Sequence, residues 1–155
     1  MATVSPFTDS RLGPGTLTLG PTATGTDYSA QLANVVLTPS VDSTDGTPTL
    51  AVPDPLPEQK ETWALEGSAI QDFEEAAGFV NYCFDHSGEL VDFTWTPVAG
   101  TGTVVYAGKC KLTAVPIGGD AGVQITSDFS FAVEGKPTKT PPTILLEASS
   151  GKAAK

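Results

Sequence analysis

Basic side chains are scarce in this 155-residue chain: eight lysines and arginines stand against eighteen aspartates and glutamates, a formal net charge of −10. A surface that negative repels free nucleic acid and argues against a module that reads DNA. Histidine occurs once, as His86, and cysteine twice, as Cys83 and Cys110. Two cysteines are too few for a disulfide framework, and with a single histidine they give no zinc site of the usual spacing. They read as buried free thiols, and no cofactor or metal is indicated. No apolar run approaches the ~18 residues that a membrane span needs, so no membrane association is expected. The start, Met-Ala-Thr-Val-Ser, lacks a basic segment followed by an apolar one. No signal peptide is visible, and cytoplasmic synthesis is expected.

What the chain does have is glycine (16) and proline (13), with much threonine and valine, a balance that favours strands and turns over helices. Thr16-Leu17-Thr18-Leu19 alternates as a short strand after the turn Gly13-Pro14-Gly15. Residues 28–37 read as a second strand, with Tyr28, Ala30, Leu32 and Val36 sharing a face. In residues 60–67, Thr62, Ala64 and Glu66 oppose Trp63 and Leu65. Val91, Phe93 and Trp95 mark another strand. So do Val104, Tyr106, Cys110 and Leu112, with Lys109 and Lys111 on the reverse. Residues 123–134 alternate most cleanly: Val123, Ile125, Phe129, Phe131 and Val133 face one way, Gln124, Thr126, Asp128, Ser130 and Glu134 the other.

Between the early strands, residues 38–60 carry Pro39, Pro48, Pro53, Pro55 and Pro57, which a central strand would not tolerate. Asp45-Gly46, between Val41 and Leu50, is a candidate hairpin tip. The segment is long for a connection inside a compact domain, and its stiffening prolines lower the entropy lost on docking. Val41, Asp45, Gly46, Leu50 and Pro55 are therefore expected to pack between subunits. One helix is expected over residues 72–86. Phe73, Ala76, Ala77, Val80 and Phe84 fall on one face, Asp72 and Glu75 have capping-box spacing, and Glu74 and Glu75 suit the helix dipole. Phe73, Ala77, Val80 and Phe84 form the expected core face, so Phe84→Ala is expected to cost about 3–5 kcal/mol.

Charge is unevenly distributed. Residues 27–135 carry sixteen acids and three lysines, a net of −13, whereas residues 136–155 carry four lysines and one glutamate, a net of +3. Three parts follow: an N-terminal arm over 1–13, a domain over 14–135 with its long loop 38–60, and a flexible basic tail over 136–155. The tail is expected to reach an acidic surface of an adjacent subunit or ring.

The acids and the histidine form no catalytic constellation by spacing. Asp85-His86-Ser87 has the residue types of a hydrolase triad, but adjacent residues at a helix end diverge and a triad must converge. Glu74 and Glu75 are neighbours on one helix and diverge by about 100°, so they cannot flank a glycosidic bond. Asp42, Asp45 and Gly46 lack calcium-loop spacing, and Gly118-Gly119 is a turn and not a phosphate cradle. No enzymatic activity is expected.

The order of features is itself informative: Leu12-Gly13-Pro14-Gly15-Thr16-Leu17, the strand from Tyr28, the proline-rich excursion, Glu61-Thr62-Trp63-Ala64-Leu65-Glu66-Gly67, Ile70-Gln71-Asp72 and one helix. Then come Val91-Asp92-Phe93-Thr94-Trp95-Thr96-Pro97, Val115-Pro116-Ile117-Gly118-Gly119-Asp120 and Ser127-Asp128-Phe129-Ser130-Phe131. Over most of residues 12–138 this resembles the major tail proteins of siphophages that infect actinobacteria. The resemblance implies a mainly β fold, a two-sheet sandwich or barrel of the phage tail tube type with one flanking α-helix. It implies a structural virion protein, assembled in the host cytoplasm, whose hexameric rings stack into the tube that conducts the genome. Its partners would be its own copies and the tape measure, tail terminator and distal tail proteins. DNA would pass through without specific binding. Gln124, Thr126, Asp128 and Ser130, with Asp92 and Thr94 of an adjacent strand, are the candidate lumen lining. Carboxylates and hydroxyls there keep a duplex off the wall, whereas Lys109 and Lys111 would hold it. A β-sandwich virion component of another kind, such as a capsid decoration or tail-completion protein, and a small β-rich enzyme or ligand-binding domain are the alternatives.

Overall fold

The computed structural model describes residues 11–21, 24–100 and 103–140. Within them the chain runs through β1 (Thr16–Leu19), β2 (Thr26–Asp27), a 3-10 turn (Ser29–Gln31), β3 (Leu32–Thr44), β4 (Glu58–Ile70), α1 (Phe79–Asp85), β5 (Leu90–Thr96), β6 (Val105–Lys111), β7 (Thr126–Val133) and β8 (Thr138–Thr140). The class is mainly β with a single α-helix. The strands form one antiparallel sheet of order β2-β1-β5-β6-β7-β4-β3, with β8 also on β6, and it does not close into a barrel.

The sheet nevertheless has two lobes, and register explains why. β4 and β7 pair over eight positions, but β6 and β7 meet only at Cys110↔Val133 and Lys111↔Ala132. The rest of that edge of β6 takes β8, from Val105↔Thr140 to Ala107↔Thr138. Gly135, at φ 67°, supplies the left-handed residue that turns the chain from β7 towards β8. Both lobes bury one face into the same core, since Leu17, Leu19 and Phe93 of one cluster with Leu65, Phe129 and Phe131 of the other. The two layers expected from sequence are thus two lobes of one continuous sheet.

Alternation sets the faces. β7 alternates exposed and buried without exception from Thr126 to Val133. Its pairing partners carry the pattern across, with Leu65 opposite Phe131 and Trp63 opposite Val133. Val123 is 65 % exposed because the strand begins only at Thr126. Before it, Gln71 ties down the loop: its amide nitrogen contacts Ser127 Oγ and the Pro116 and Gly118 carbonyls, and its Oε1 accepts from the Gly118 N–H at 2.9 Å.

β3 departs from expectation in three ways. It begins only at Leu32, because Ser29–Gln31 form a 3-10 turn where the sequence suggests the strand's start. It runs on to Thr44, through Pro39, because it is the outermost strand and an edge position tolerates a missing donor. The proline-rich excursion is therefore residues 45–57 and not 38–60. A bulge between Leu32 and Asn34 also flips the face, so Val35 is buried and Val36 is 51 % exposed, the reverse of the simple alternation. At this bulge the Asn34 carbonyl approaches Gly67 so closely that a Cβ there would lie 2.2 Å from it, and only glycine fits.

The helix is shorter than the sequence predicts. Asp72 and Glu75 each accept from a backbone N–H two residues on, Glu74 and Ala77 respectively, and such local bonds compete with helix formation. Gln31 Oε1 instead accepts from the Phe79 N–H at 2.7 Å, which starts the helix there. The buried stripe is Phe79, Val80 and Cys83. Of the four expected core residues only Val80 is buried; Ala77 is exposed, and Phe73 and Phe84 are 60 % and 61 % exposed. Glu74 and Asp85 are exposed. Phe84→Ala in the isolated subunit is accordingly expected to cost under about 1 kcal/mol, measured by urea unfolding.

Cys83 and Cys110 are free and buried. Burial pushes both thiols up to about 12, reinforced at Cys83 by the neighbouring Cys110 and at Cys110 by the charge of Asp92. Burial also raises Tyr28 and Tyr82. Because the folded chain favours the protonated forms, this contribution is intact below about pH 9 and is lost as pH rises towards about 12. Alkaline titration followed by circular dichroism should show destabilisation across that window. Cys110→Ala should give a shallower slope. In the native protein neither thiol should react with an aromatic disulfide reagent, and both should on denaturation.

Candidate functional site: the polar face of the sheet

Opposite the core, the sheet presents a broad face of small polar side chains. Register places Asp92 and Thr94 of β5, Lys109 and Lys111 of β6, Thr126, Asp128 and Ser130 of β7, and Thr62, Ala64 and Glu66 of β4 on it, followed by Thr38 and Ser40 of β3. Five of the six residues selected from the sequence, Asp92, Thr94, Thr126, Asp128 and Ser130, therefore share one face. The sixth does not: Gln124 precedes β7 and lies in the loop before it. The sequence suggests that Asp92 and Thr94 lie on a strand adjacent to β7; instead β6 stands between β5 and β7.

Glu66 organises this face. Its carboxylate accepts from Thr38 Oγ1 at 2.8 Å and from Ser130 Oγ at 3.2 Å, and so links β3, β4 and β7 through one side chain. Around it is a shallow groove of ≈ 470 Å³ bordered by Thr38, Thr62, Ala64, Lys111 and Ser130. Sequence reading set Glu66 on this side of β4 but gave it no role; the signal was a lone acid among hydroxyls at alternating positions.

The face is mixed in charge. Lys109 and Lys111 are exposed and lie on it. Lys109 is the register partner of Asp92, and Lys111 is opposite Ala132 beside Ser130. Cross-strand neighbours of opposite sign attract weakly, so Asp92 offsets Lys109, while Glu66 and Asp128 supply the remaining negative charge.

The loop residues gather at one end of the β3–β4 hairpin. Thr44 and Glu58 are the last register partners, and beyond them Gly46 packs under Pro55. Thr49 closes a small turn with Val52. Leu50 is 107 % and Leu56 89 % exposed, and Val41 and Val52 are also exposed. These apolar side chains stand open on a proline-rich loop.

In the histidine segment, His86 and Ser87 bond to other partners than each other. His86 Nδ1 lies 2.7 Å from Glu89 Oε2, and Ser87 Oγ accepts from the Ala114 N–H. Among the described residues no group of three or more His, Cys, Asp or Glu side chains is arranged to hold a metal ion, and no helix is long and apolar enough to cross a membrane.

No family model matches the sequence, and no curated protein matches it. Among solved structures, the fold is similar to that of a chain from the virion of a native gene transfer agent particle. That match has a TM-score of 0.53 and 11% identity and covers 80% of this chain and 95% of the other. The likeness is one of fold.

Proposed function

We propose that this chain is a structural virion protein, and that within the virion it is the subunit of a tail tube, built from hexameric rings of its own copies. The observation that supports this reading best is the fold shared over nearly the whole length of a virion chain. The ordered sequence features that resemble siphophage major tail proteins supply the finer assignment. On this reading the protein has no catalytic role. Its polar face lines the lumen, and Leu50, Val52 and Leu56 meet a neighbouring copy. The tape measure, tail terminator and distal tail proteins bind the finished tube. Purified protein at high concentration, viewed by negative stain, should form hollow tubes or stacked rings. Small particles alone, under all salt conditions, would count against the tube.

A lumen wall must let DNA slide. Carboxylates repel phosphate and neutral hydroxyls bind it without releasing counterions, so neither grips the duplex as a free cation does; on this reading Asp92, opposite Lys109, offsets that lysine. Asp128→Lys would add an unpaired cation to an exposed position on each copy, so phosphate contacts repeat along the tube. Virions carrying it should eject their genome more slowly, the more so at low salt, as followed by dye fluorescence. Unchanged ejection at low salt would remove this face from the lumen.

A further inference from the structure

The corner where Gln71 leaves β4 has no part in the assembly reading so far. The Gln71 backbone N–H donates to the Ile125 carbonyl at 2.9 Å. Its side-chain amide donates to the Pro116 and Gly118 carbonyls, and its Oε1 accepts from the Gly118 N–H. These bonds gather Phe73, Ile117 and Val123, each within two residues of a bonded group. All three are exposed, and so are Asp72, Glu74 and Asp120 beside them. The result is an apolar centre with a carboxylate rim. Its loops are fixed by Gln71 before any partner arrives, which lowers the ordering cost of binding.

Charge selects the occupant. The β3–β4 loop carries Asp45 and Asp54, with Glu58 at its end, and would set like charge against the rim, which disfavours the pairing. Lys136 and Lys139 are exposed and lie at the opposite end of the sheet. β7 starts beside Gln71, since Thr126 pairs with Ile70, and runs away from it for eight residues, about 25 Å. β8 pairs with β6 in the same sense as β7 and continues in that direction. The lysines are therefore out of reach of the rim of their own copy, but a second copy can present them. Lysine suits this surface, because its aliphatic stem covers apolar side chains while its ammonium reaches a carboxylate.

We propose that the patch of Phe73, Ile117 and Val123, with its rim of Asp72, Glu74 and Asp120, receives the Lys136–Lys139 segment of a second copy. The contact joins opposite ends of two molecules, so it is head-to-tail, and it closes into a ring or propagates as a stack. It rests on the reading that copies of this chain assemble.

Charge exchange in the full-length protein tests it. One variant carries Glu74→Lys and Asp120→Lys, the other Lys136→Glu and Lys139→Glu. Self-association, followed by sedimentation velocity, should weaken at least about tenfold for either variant alone, because each then meets itself with like charge. An equal mixture pairs the altered charges again and should recover to within about threefold of the native protein. Rising salt should weaken the native and the mixed contact alike. Native-like association of either variant alone, or a mixture no stronger than its components, would overturn the proposal. A benzophenone side chain at position 117 of otherwise native protein, in mixed heavy- and light-isotope samples, should link to residues 134–140 of another copy. Links to residues 45–57 instead would assign the patch to the loop and overturn it. Rescue by mixing in small oligomers without tubes would uphold the contact and count against the tube; tubes from either variant alone would do the reverse.

Discussion

Replacing residues 45–57 with Asn-Gly is expected to yield a folded subunit that no longer forms tubes. Thr44 and Glu58 are register partners, so a two-residue turn joins the strands without altering the hairpin, and Asn-Gly suits such a turn. The isolated subunit loses no core residue, because the exposed Leu50, Val52 and Leu56 contribute nothing to the buried cluster. Shortening the connection lowers its closure entropy by on the order of 1 kcal/mol, so monomer stability should hold or rise. What disappears is a stiff apolar surface whose burial between copies would stabilise each contact by about 25 cal/mol per Å² of apolar area. In a ring or stack that contact repeats, and its loss multiplies. Sedimentation and negative stain should show soluble, folded, unassembled protein; normal tubes from the variant would show that the loop is not an assembly element.

Phe79→Ala should have the largest effect on the subunit itself. Phe79 is wholly buried and is the point at which α1 locks onto the sheet. Its ring meets Tyr28 edge-on at 5.7 Å and lies 4.9 Å from Phe129 and 6.1 Å from Phe131. Truncation removes the transfer free energy of the ring and leaves a cavity bounded by aromatic side chains that cannot collapse freely, a loss of about 3–5 kcal/mol. Against a typical domain stability of about 5–15 kcal/mol this leaves the protein marginal. The urea midpoint should fall steeply for Phe79→Ala and hardly at all for Phe84→Ala. Equal midpoints for the two variants would mean that the buried face of α1 is assigned to the wrong residues.

That contrast also shows what the sequence does and does not disclose. Strands were legible because a period of two is a strong signal: the faces of β4, β5, β6 and β7 follow directly from alternation, and so does the shared face of Asp128 and Ser130, whereas Asp92 joins them only through the pairing of β5 with β6 and β6 with β7. The helix misled because two stripes overlap. Phe73, Ala77, Val80 and Phe84 have ideal spacing, but Gly78 interrupts them and the side chains of Asp72 and Glu75 bond locally instead. The decisive partner, Gln31, lies 48 residues away, and nothing local announces it. The face of β3 misled because a bulge shifts parity, and a bulge is set by tertiary contact at Gly67. Pro39 suggested an early end to the strand, since its tolerance depends on β3 being an edge, a property of topology. The candidate site was legible as a set of polar positions but not as a network: Glu66 joins three strands only once they are paired.

Electron cryo-microscopy of the protein assembled at high concentration tests the central claim most directly. The account predicts a hollow tube of stacked six-membered rings, with Glu66, Asp128 and Ser130 facing the lumen and residues 45–57 buried between copies. A protein that remains in small discrete particles, or a tube whose lumen is lined by another surface while Glu66 and Asp128 face outwards, would contradict it.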